Sequence, residues 1–417
     1  MKLLSETLGI EKTFFLDEAI GQSGEPVSMK STPTVERVNK QDLEFMYRDN
    51  PVIFNSINKT VQLIMAADYK IVAKKPKVQS FFDRFIDNIG YSGGERYWED
   101  LVETMFKSQT IFGDCWNELI YDKDGKKIVD LDSIDPKKMD YAKNSMQKIV
   151  LNKDMNPVGY TQTLPPMSMT NIEQKFKPPE NVMLKSNQIY IPPNRISHFK
   201  LYTVGDGFYG IGLIEPVYKI SQSKIEMERA LANAIWRVGF PNIVAYVGDK
   251  DHDPRPEQVK NVWDKIKDTN YKHGFAFPHY NKIEFLQAKH PEKLQEYLSY
   301  WIDQEVTGTG LPRAIATGSG QTTSRQILAK QIFVSKLTLK DIVKRTVRGI
   351  ERKIFKPISE QQKFKEVPKI EWGEIALEEV DSKVLRIVSL SKEGLLSYDS
   401  NLENYLRKME NLPEKKV

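Results

Sequence analysis

Residues 322 to 355 contain no proline and a single glycine, Gly349. Proline and glycine are the residues that most often interrupt helices, so this stretch can form one continuous helix. Apolar residues recur along it at helical spacing: Leu328, Ile332, Leu339, Val343, Val347, Ile350 and Ile354. The spacing predicts one buried face on a helix on the order of 50 Å long, at about 1.5 Å per residue.

Basic side chains repeat on the same predicted helix at intervals of four residues. They are Lys336, Lys340, Lys344, Arg348 and Arg352. Residues four apart are neighbours on a helix surface, so we expect these side chains to share a face. Residues 321 to 356 hold ten Lys and Arg against two acidic residues, an excess of eight. Such a stripe fits a solvated face or an inter-subunit ion-pair system as well as it fits contact with a polyanion.

The bulk composition is that of a soluble globular protein. The chain has 417 residues, of which 40% are hydrophobic and 28% charged, so two or three folding units are expected. Its apolar runs fall well short of the roughly 20 residues that a membrane-spanning helix needs. The N-terminus does not match a secretory signal. Cys115 is the only cysteine, which excludes an internal disulfide and favours a reducing intracellular origin.

The first half of the chain mixes helices with short strands. Residues 1 to 40 are rich in turn formers and have no clear period, so an exposed arm is expected. Apolar residues between Val52 and Met65, and again in "YWEDLVETMFKSQTIFGD", recur at helical spacing. Two strand-like runs flank the turn signal Asp124-Gly125 and predict a hairpin. Further short strands are predicted in "KIVLN", "VGYTQT" and "QIYIPPNRISHFKLY".

The second half of the chain predicts two long helices that bracket a small insert. A helix follows the glycine-rich turn "GDGFYGIG" and ends at Gly239-Phe240-Pro241. The insert is predicted to form a strand, a helix and a second strand. Another helix is predicted after it and ends near Gly310. The segment "VPKIEWGEIAL" predicts one more strand, and the C-terminal residues predict a helical cap.

The glycine-rich segments do not carry the signature of a nucleotide site. Neither Gly318 nor Gly320 in "GTGLPRAIATGSGQTTSRQ" precedes the lysine that a P-loop requires. The run "GDGFYGIG" at 205 to 212 lacks the βαβ context of a dinucleotide site, so we expect a flexible strand-to-helix corner. Signatures for a catalytic nucleophile or a zinc site are also absent from the sequence. We therefore predict no catalytic residues, no cofactor and no metal.

The order of these parts resembles that of the portal proteins of tailed bacteriophages and their prophage or archaeal-virus relatives, the head-tail connector family. "IPPNRISHFKLYTVGDGFYGIGLIEPVYKI" is similar to the family's strand, glycine-rich corner and descending helix. "EVTGTGLPRAIATGSGQTTSRQ" is similar to its ascending-helix end, Gly-x-Pro turn and polar loop before a long helix. "LDSIDPKKM" resembles a short strand ending that is common in the family. The resemblance extends over roughly residues 45 to 380.

The resemblance implies an α+β, portal-like multidomain protomer that assembles into a ring, with about twelve copies at one capsid vertex. Its implied parts, by residue number, are an N-terminal arm (1–40), the first part of a wing (41–215), a descending stem helix (216–240), a clip (241–289), an ascending stem helix (290–311), a tunnel loop (312–325), a long basic helix with a wing return strand (326–377) and a crown (378–417).

The tunnel loop is the part that the resemblance places against double-stranded DNA in a channel. The residues concerned are Arg313, Thr317, Gly318, Ser319, Gly320, Gln321, Thr322, Thr323 and Ser324. Each phosphate that a protein neutralises releases counterions and adds affinity, so a lysine-rich loop would hold a duplex that has to move. Neutral hydroxyl and amide groups on a glycine-containing segment suit weak, interchangeable contacts. The basic residues Arg325, Lys336, Lys340, Lys344, Arg348 and Arg352 are expected to face either DNA or a neighbouring subunit.

The resemblance also implies the partners of such a ring. They are further copies of this chain, double-stranded DNA bound without sequence specificity, a large terminase, head-tail connector or adaptor proteins, and major capsid and scaffold proteins, with no membrane. The acidic turn in the insert is expected to belong to the clip surface that meets partners, through Asp249, Asp251, His252, Asp253 and Arg255. The expected location is the capsid vertex of a virion that assembles in the host cytoplasm.

Two other functions remain open on the sequence. One is a DNA-processing enzyme, a nuclease or recombinase with a basic recognition helix, for which Glu371 and Glu374 are weak carboxylate candidates. The other is a structural adaptor or scaffold without a DNA channel. The interpretation that fits most of the residues is a non-enzymatic portal that conducts double-stranded DNA during packaging and ejection, with the packaging ATPase and nuclease on another chain.

Overall fold

The structure is a computed structural model. It describes residues 37–90, 97–165, 175–205, 207–239, 242–248, 251, 253–267, 281–286, 294–318, 325–375, 403, 404 and 407. Most of the predicted N-terminal arm and of the predicted crown therefore lie outside the described residues.

Helices make up most of the described chain. They are α1 (Lys40–Asp49), α2 (Pro51–Met65), α3 (Pro76–Asp87), α4 (Trp98–Phe112), α5 (Tyr218–Gly239), α6 (Pro256–Lys267), α7 (Leu294–Thr309), α8 (Arg313–Thr317), α9 (Arg325–Ile350) and α10 (Lys356–Gln361). Asn50 ends α1 and begins α2, because its side chain accepts hydrogen bonds from the amides of Val52 and Ile53. Pro51 follows in the first turn of α2, where the amide that proline lacks would have no partner.

The strands form four small antiparallel sheets. They are β1 (Tyr69–Val72), β2 (Asp114–Tyr121), β3 (Ile128–Ile134), β4 (Met139–Tyr141), β5 (Tyr160–Thr163), β6 (Gln188–Ile191), β7 (Ile196–Lys200), β8 (Asn242–Val247), β9 (Asn281–Leu286) and β10 (Lys369–Trp372). The sheet orders are β3-β2-β7, β4-β5-β6, β1-β10 and β8-β9. The predicted hairpin is present as β2-β3, and Gly125 takes the positive φ of 69° that its turn requires.

One predicted strand is wrong. "KIVLN" forms only isolated bridges, between Lys143 and Ile149 and between Leu151 and Pro157. The side chain of Asn152 accepts hydrogen bonds from the backbone amides of residues two and four positions later, which closes a tight turn. The local turn therefore competes with an extended ladder and interrupts the run.

The main hydrophobic core joins the first half of the chain to the long helix. It packs α1 to α4 against the carboxyl-terminal half of α9, where Leu339, Val343, Val347 and Ile350 are all buried. Strand β10 returns to the same body and pairs with β1, from Tyr69 opposite Trp372 to Val72 opposite Lys369. Residues separated by about 300 positions in the sequence thus share one core.

The long helix is confirmed, and it continues past its predicted end. After α9, residues Glu351–Phe355 form one π-helical turn that leads directly into α10. Pro357 lies in the first turn of α10, directly after the π-helical turn. Within the described ranges, no helix combines the length and the hydrophobicity needed to cross a membrane.

The glycine-rich corner before α5 is closely packed, so the expectation of a flexible corner is wrong. Gly113, with φ of 80°, ends α4, and its backbone lies against that of Gly210 and Gly212. A Cβ atom on Gly113 would lie 2.4 Å from the carbonyl oxygen of Gly210, and one on Gly210 would lie 2.0 Å from that of Gly113. The glycines are needed because two backbones meet where α4, β2 and the start of the α5 segment converge.

We expect Gly113→Ala to destabilise the chain strongly. The left-handed backbone costs an L-residue about 1–2 kcal/mol, and the clash with backbone atoms adds about 1–3 kcal/mol. Gly125→Ala is the matched control, because Gly125 also has positive φ but no atom lies within 4 Å of its Cβ position. Urea unfolding measures both variants. Equal losses in the two would show that the close contact with Gly210 contributes nothing.

Candidate functional site

A buried ion pair fastens the two long helices that bracket the insert. Lys224 Nζ of α5 lies 2.9 Å from Glu305 Oε2 of α7, and their side chains are 5% and 0% exposed. Asn50 Nδ2, between α1 and α2, donates to the other carboxylate oxygen of Glu305 at 2.5 Å. One carboxylate therefore joins three helices, and the same asparagine that caps α2 holds α7 in place.

The segment after α7 is anchored to α2 and α9. Gly310 has a φ of 76°, and its carbonyl oxygen accepts a hydrogen bond from Ser335 Oγ of α9 at 2.9 Å. The carbonyl oxygen of Ala316 in α8 accepts one from Asn55 Nδ2 of α2. Leu311 and Ala316 are buried against Val306, so the start of the predicted tunnel loop lies on a rigid support.

The structure describes only the first residues of the predicted tunnel loop. Arg313 and Thr317 lie in the short helix α8, and Gly318 follows with a φ of 70°. Arg313 Nη1 donates to Asp303 Oδ1 and to Ser299 Oγ, both at 2.8 Å. The positive charge of Arg313 is therefore balanced within its own chain. The remaining predicted residues of the loop lie outside the described ranges; they are Ser319, Gly320, Gln321, Thr322, Thr323 and Ser324.

The middle of the predicted basic stripe, Lys340, Lys344 and Arg348, shares one face of α9, and the ends of the stripe diverge from it. A four-residue step on an α-helix turns about 40°, so five such residues spread around about 160° of the surface. Lys336 is 16% exposed and lies 2.7 Å from Glu374, beyond β10. Lys340, Lys344 and Arg348 are exposed and border a depression of about 390 Å³ beside β10.

The two ends of the basic stripe lie in different helical segments. Arg352 is exposed and lies in the π-helical turn. Arg325 begins α9, and its side chain lies outside the description.

The insert contains the predicted strand, helix and strand, as β8, α6 and β9, and the two strands pair antiparallel. Asp251, Asp253 and Arg255 of the predicted clip surface are exposed, close to the start of α6. Asp249 and His252 lie outside the described residues. The sequence analysis missed Trp263, which is 57% exposed on α6. Its four-residue spacing from Val259, which is 45% exposed, is the local signal that could have identified it.

A buried polar cluster, which no local sequence pattern predicts, lies beside the glycine-rich corner. Asp114 Oδ1 accepts hydrogen bonds from His198 Nε2 at 2.8 Å and from the amide of Gly210 at 2.7 Å. The hydroxyl oxygen of Tyr141 lies 2.9 Å from His198 Nδ1, and Trp116 stacks on the imidazole at 3.6 Å. The cluster holds β2, β4, β7 and the corner together.

The protonation states of this cluster follow from its burial and its contacts. Burial lowers the pKa of His198 to about 4, although the hydrogen bond to Asp114 acts in the opposite direction. Burial alone would raise the pKa of Asp114, but the hydrogen bond from His198 and the nearby positive charges outweigh it, and the pKa lies below its usual range. The histidine is neutral and fully enclosed, which fits a structural role and leaves no route for a substrate.

Metal binding has no support in the described part of the chain. No three His, Cys, Asp or Glu side chains there come together in a group that could hold an ion. Of the two weak carboxylate candidates, Glu374 forms an ion pair with Lys336. Cys115 is buried in the main hydrophobic core, and this burial raises the pKa of its thiol to about 12.

Comparison with known families identifies the chain. The model of the family described as the portal protein of Mu bacteriophage matches residues 43–409. The chain belongs to this portal protein family. The predicted resemblance to phage portal proteins is thereby confirmed, and the family is structural rather than catalytic. No curated protein sequence matches the chain.

Solved structures share the portal fold with this chain at low sequence identity. A chain from the virion of a native gene transfer agent particle is 13% identical with a TM-score of 0.59, and the match covers 91% of this chain and 95% of that one. A chain from the neck of a native gene transfer agent particle, computed with C12 symmetry, is 14% identical with a TM-score of 0.58 and coverages of 90% and 94%. An HK97 family phage portal protein from Corynebacterium diphtheriae is 10% identical with a TM-score of 0.48 and coverages of 80% and 95%. The first two likenesses confirm the predicted α+β portal fold over nine-tenths of the chain.

The buried ion pair of this portal protein predicts a large and specific loss of stability. Glu305→Gln keeps the size of the side chain but leaves the charge of Lys224 buried, and breaking a buried pair in this way costs about 3–5 kcal/mol. Asp341→Asn is the control, because its partner Arg345 is 43% exposed and such pairs contribute about 1 kcal/mol or less. Urea unfolding measures both variants. A loss for Glu305→Gln no larger than that of the control would contradict the role given to the pair.

The His198 cluster predicts that stability falls as the pH is lowered from 6.5 towards 4. In this window the unfolded histidine binds a proton that the folded one, with its pKa of about 4, does not. The slope for one such group is about 1.4 kcal/mol per pH unit. His198→Gln should flatten the pH dependence by about that amount, as urea midpoints at several pH values would reveal. An unchanged slope in the variant would contradict the prediction.

Proposed function

We propose that about a dozen copies of this chain close into a ring that conducts double-stranded DNA during genome packaging and ejection. The observation that carries the proposal is the family match over residues 43–409, joined to the shared fold with a neck chain computed with C12 symmetry. The ring would occupy one capsid vertex of a virion assembled in the host cytoplasm. Its contact with DNA would be independent of base sequence.

The parts of the protomer are assigned as the sequence suggested. Residues 41–215 and 326–377 form the wing, an assignment supported by the shared core and by the pairing of β1 with β10. Residues 216–240 and 290–311 form the stem, which the buried pair of Lys224 and Glu305 supports. Residues 241–289 form the clip, 312–325 the tunnel loop, 378–417 the crown and 1–40 the arm.

The tunnel loop is proposed to touch DNA through weak and largely neutral contacts. Hydroxyl and amide side chains dominate residues 317 to 324, and the charge of Arg313 is balanced by Asp303. A ring of unpaired arginines would neutralise phosphates, release counterions and hold the duplex in place. Asp303 offsets the charge of Arg313, and the hydroxyl and amide groups of residues 317 to 324 give a polar surface past which DNA can move.

The clip is proposed to meet a large terminase during packaging and head-tail connector proteins afterwards, while the outer wing meets major capsid and scaffold proteins. The exposed acidic and basic residues before α6 and the exposed Trp263 support this use of the clip. The packaging ATPase and nuclease would reside on another chain.

Mass photometry and negative-stain imaging of the purified chain test the proposal. We expect a ring of about a dozen copies with an open central bore, and difference density from a tag inserted at Gly318 should lie at the wall of that bore. A monomer or dimer that cleaves DNA would support the nuclease alternative and contradict the portal assignment. An assembly without a bore would support the adaptor alternative.

A further inference from the structure

Buried side chains hold the segment that leads into α5, residues 201 to 217, against the α+β body. Tyr141 donates its hydroxyl hydrogen to the carbonyl oxygen of Phe208 at 2.7 Å. Asp114 Oδ1 accepts a hydrogen bond from the amide of Gly210, also at 2.7 Å. Both side chains belong to the body and are buried, so they fix the inner side of this segment.

Arg37 closes over the outer side of the same segment. Its Nη2 donates to the carbonyl oxygen of Gly210 and lies 3.3 Å from Glu215 Oε2, in the helical turn directly before α5. Its guanidinium also lies over the ring of Tyr209, 4.9 Å from the centroid. The side chain of Arg37 is 30% exposed, so solvent and other molecules can reach this contact.

A buried carboxylate oxygen draws Arg37 towards the same place. Asp114 Oδ2 is enclosed and accepts no hydrogen bond from the described residues. Arg37 Nη1 lies 3.6 Å from it, just beyond hydrogen-bond distance. A charged acceptor without a hydrogen bond in the interior is costly, so this oxygen favours an Arg37 that stays in place. One guanidinium is thus shared by three acceptors, which lie on β2, at Gly210 and in the turn before α5.

The backbone that carries Arg37 is anchored on its α1 side. Residues 37 to 39 belong to no helix or strand, and α1 begins at Lys40. Lys40 Nζ donates to the carbonyl oxygens of Pro136 and Met139 at 2.8 and 3.1 Å, which fixes the start of α1 to the body. Arg37 can therefore leave its acceptors through rotation of a few backbone bonds while α1 stays in place. We call residues 37 to 40 the strap.

We propose that the strap is a latch for α5. With Arg37 bound, the segment that leads into α5 is held on both sides. With Arg37 withdrawn, the inner contacts alone hold it and it moves more freely, while the hydrophobic core of the body is unchanged. A molecule that binds the strap would in this way act on α5 from outside the body. The latch belongs to the single protomer, and only the role of α5 as a stem helix rests on the proposed function.

Hydrogen–deuterium exchange tests the latch in the intact chain. The amide of Leu213 donates to a backbone carbonyl of α4, so its exchange rate reports how often the segment opens. Arg37→Gln should raise this rate at least tenfold, while the amide of Ala66, at the end of α2, exchanges as in the wild type. Arg48→Gln is the matched control, because Arg48 pairs with Glu44 on α1 and is 72% exposed.

Two outcomes of the exchange measurement would overturn the latch. Wild-type exchange at Leu213 in Arg37→Gln would show that the inner contacts hold the segment by themselves. Faster exchange at both Leu213 and Ala66 would show that Arg37 stabilises the whole body instead of this segment. The double variant Arg37→Gln with Glu215→Gln should exchange no faster than Arg37→Gln alone, because both changes remove the same contact. Additive effects would count against the latch as well.

Trypsin reports on the latch from the strap itself. The protease takes an arginine side chain into its specificity pocket before it cuts, so it cleaves the bond after Arg37 when Arg37 has left its acceptors. Glu215→Gln removes one acceptor and should raise the rate of this cleavage at least threefold, as mass spectrometry of the fragments measures. Glu44→Gln is the control, because Glu44 also pairs with basic side chains and is similarly exposed, at 22% against 18% for Glu215.

Equal cleavage rates in Glu215→Gln and the wild type would contradict the inference, as would an equal rise in both variants. Either result leaves the proposed function intact, because ring formation is measured separately. Failure of the wild-type chain to form rings would overturn the proposed function and leave the latch to be decided by exchange and cleavage in the protomer.

Discussion

The carboxylate of Glu305 is the contact on which the arrangement of the helices depends. It accepts a hydrogen bond from Asn50 and forms an ion pair with Lys224, so α2, α5 and α7 meet at one fully buried group. A buried charge is tolerated only when its partners are fixed, and each of these partners has a fixed place in a helix or cap. The helices that carry the insert therefore cannot shift relative to the α+β body without exposing or unpairing a charge.

The glycine contact between Gly113 and Gly210 lies just before the amino-terminal end of α5. Gly113 and Gly210 bring two backbones together, and the buried Asp114 accepts hydrogen bonds from the Gly210 amide and from His198. Arg37 Nη1 also lies 3.6 Å from Asp114, which connects the first described residues to the same point. The segment that leads into α5 is thus fixed by backbone packing, and the second turn of α5 is fixed by an ion pair.

The sequence predicted those features that depend on local periodicity and failed where distant residues meet. Local patterns were sufficient to predict three elements: the helix from Val52 to Met65, the hairpin at Gly125 and the long helix α9. Each of these elements depends on residues that are close together in the sequence. Asp114 and His198 are 84 positions apart in the sequence, and Asn50 and Glu305 are 255 positions apart. No local sequence pattern predicts either contact. The basic stripe keeps one face only over Lys340, Lys344 and Arg348, because at 3.6 residues per turn a four-residue repeat rotates around the helix. The ion pair between Arg313 and Asp303 could not be predicted from the sequence either, although it affects the charge at the start of the predicted tunnel loop.

Three exposed basic side chains of α9 lie beside the body of the protomer, apart from the described start of the proposed tunnel loop. Lys340, Lys344 and Arg348 border a depression floored by Val347, Ile370 and Ile375, which belong to the body of the protomer. An apolar floor complements the side chains of a protein segment and gives nothing to a phosphate backbone, which binds through charge. At the start of the tunnel loop, by contrast, the single arginine is neutralised by its neighbour on α7. The described start of the proposed tunnel loop thus carries one paired arginine, while Lys340, Lys344 and Arg348 lie beside the body of the protomer. In the proposed channel this separation suits a moving polyanion, because each tight phosphate contact would have to be broken again at every step.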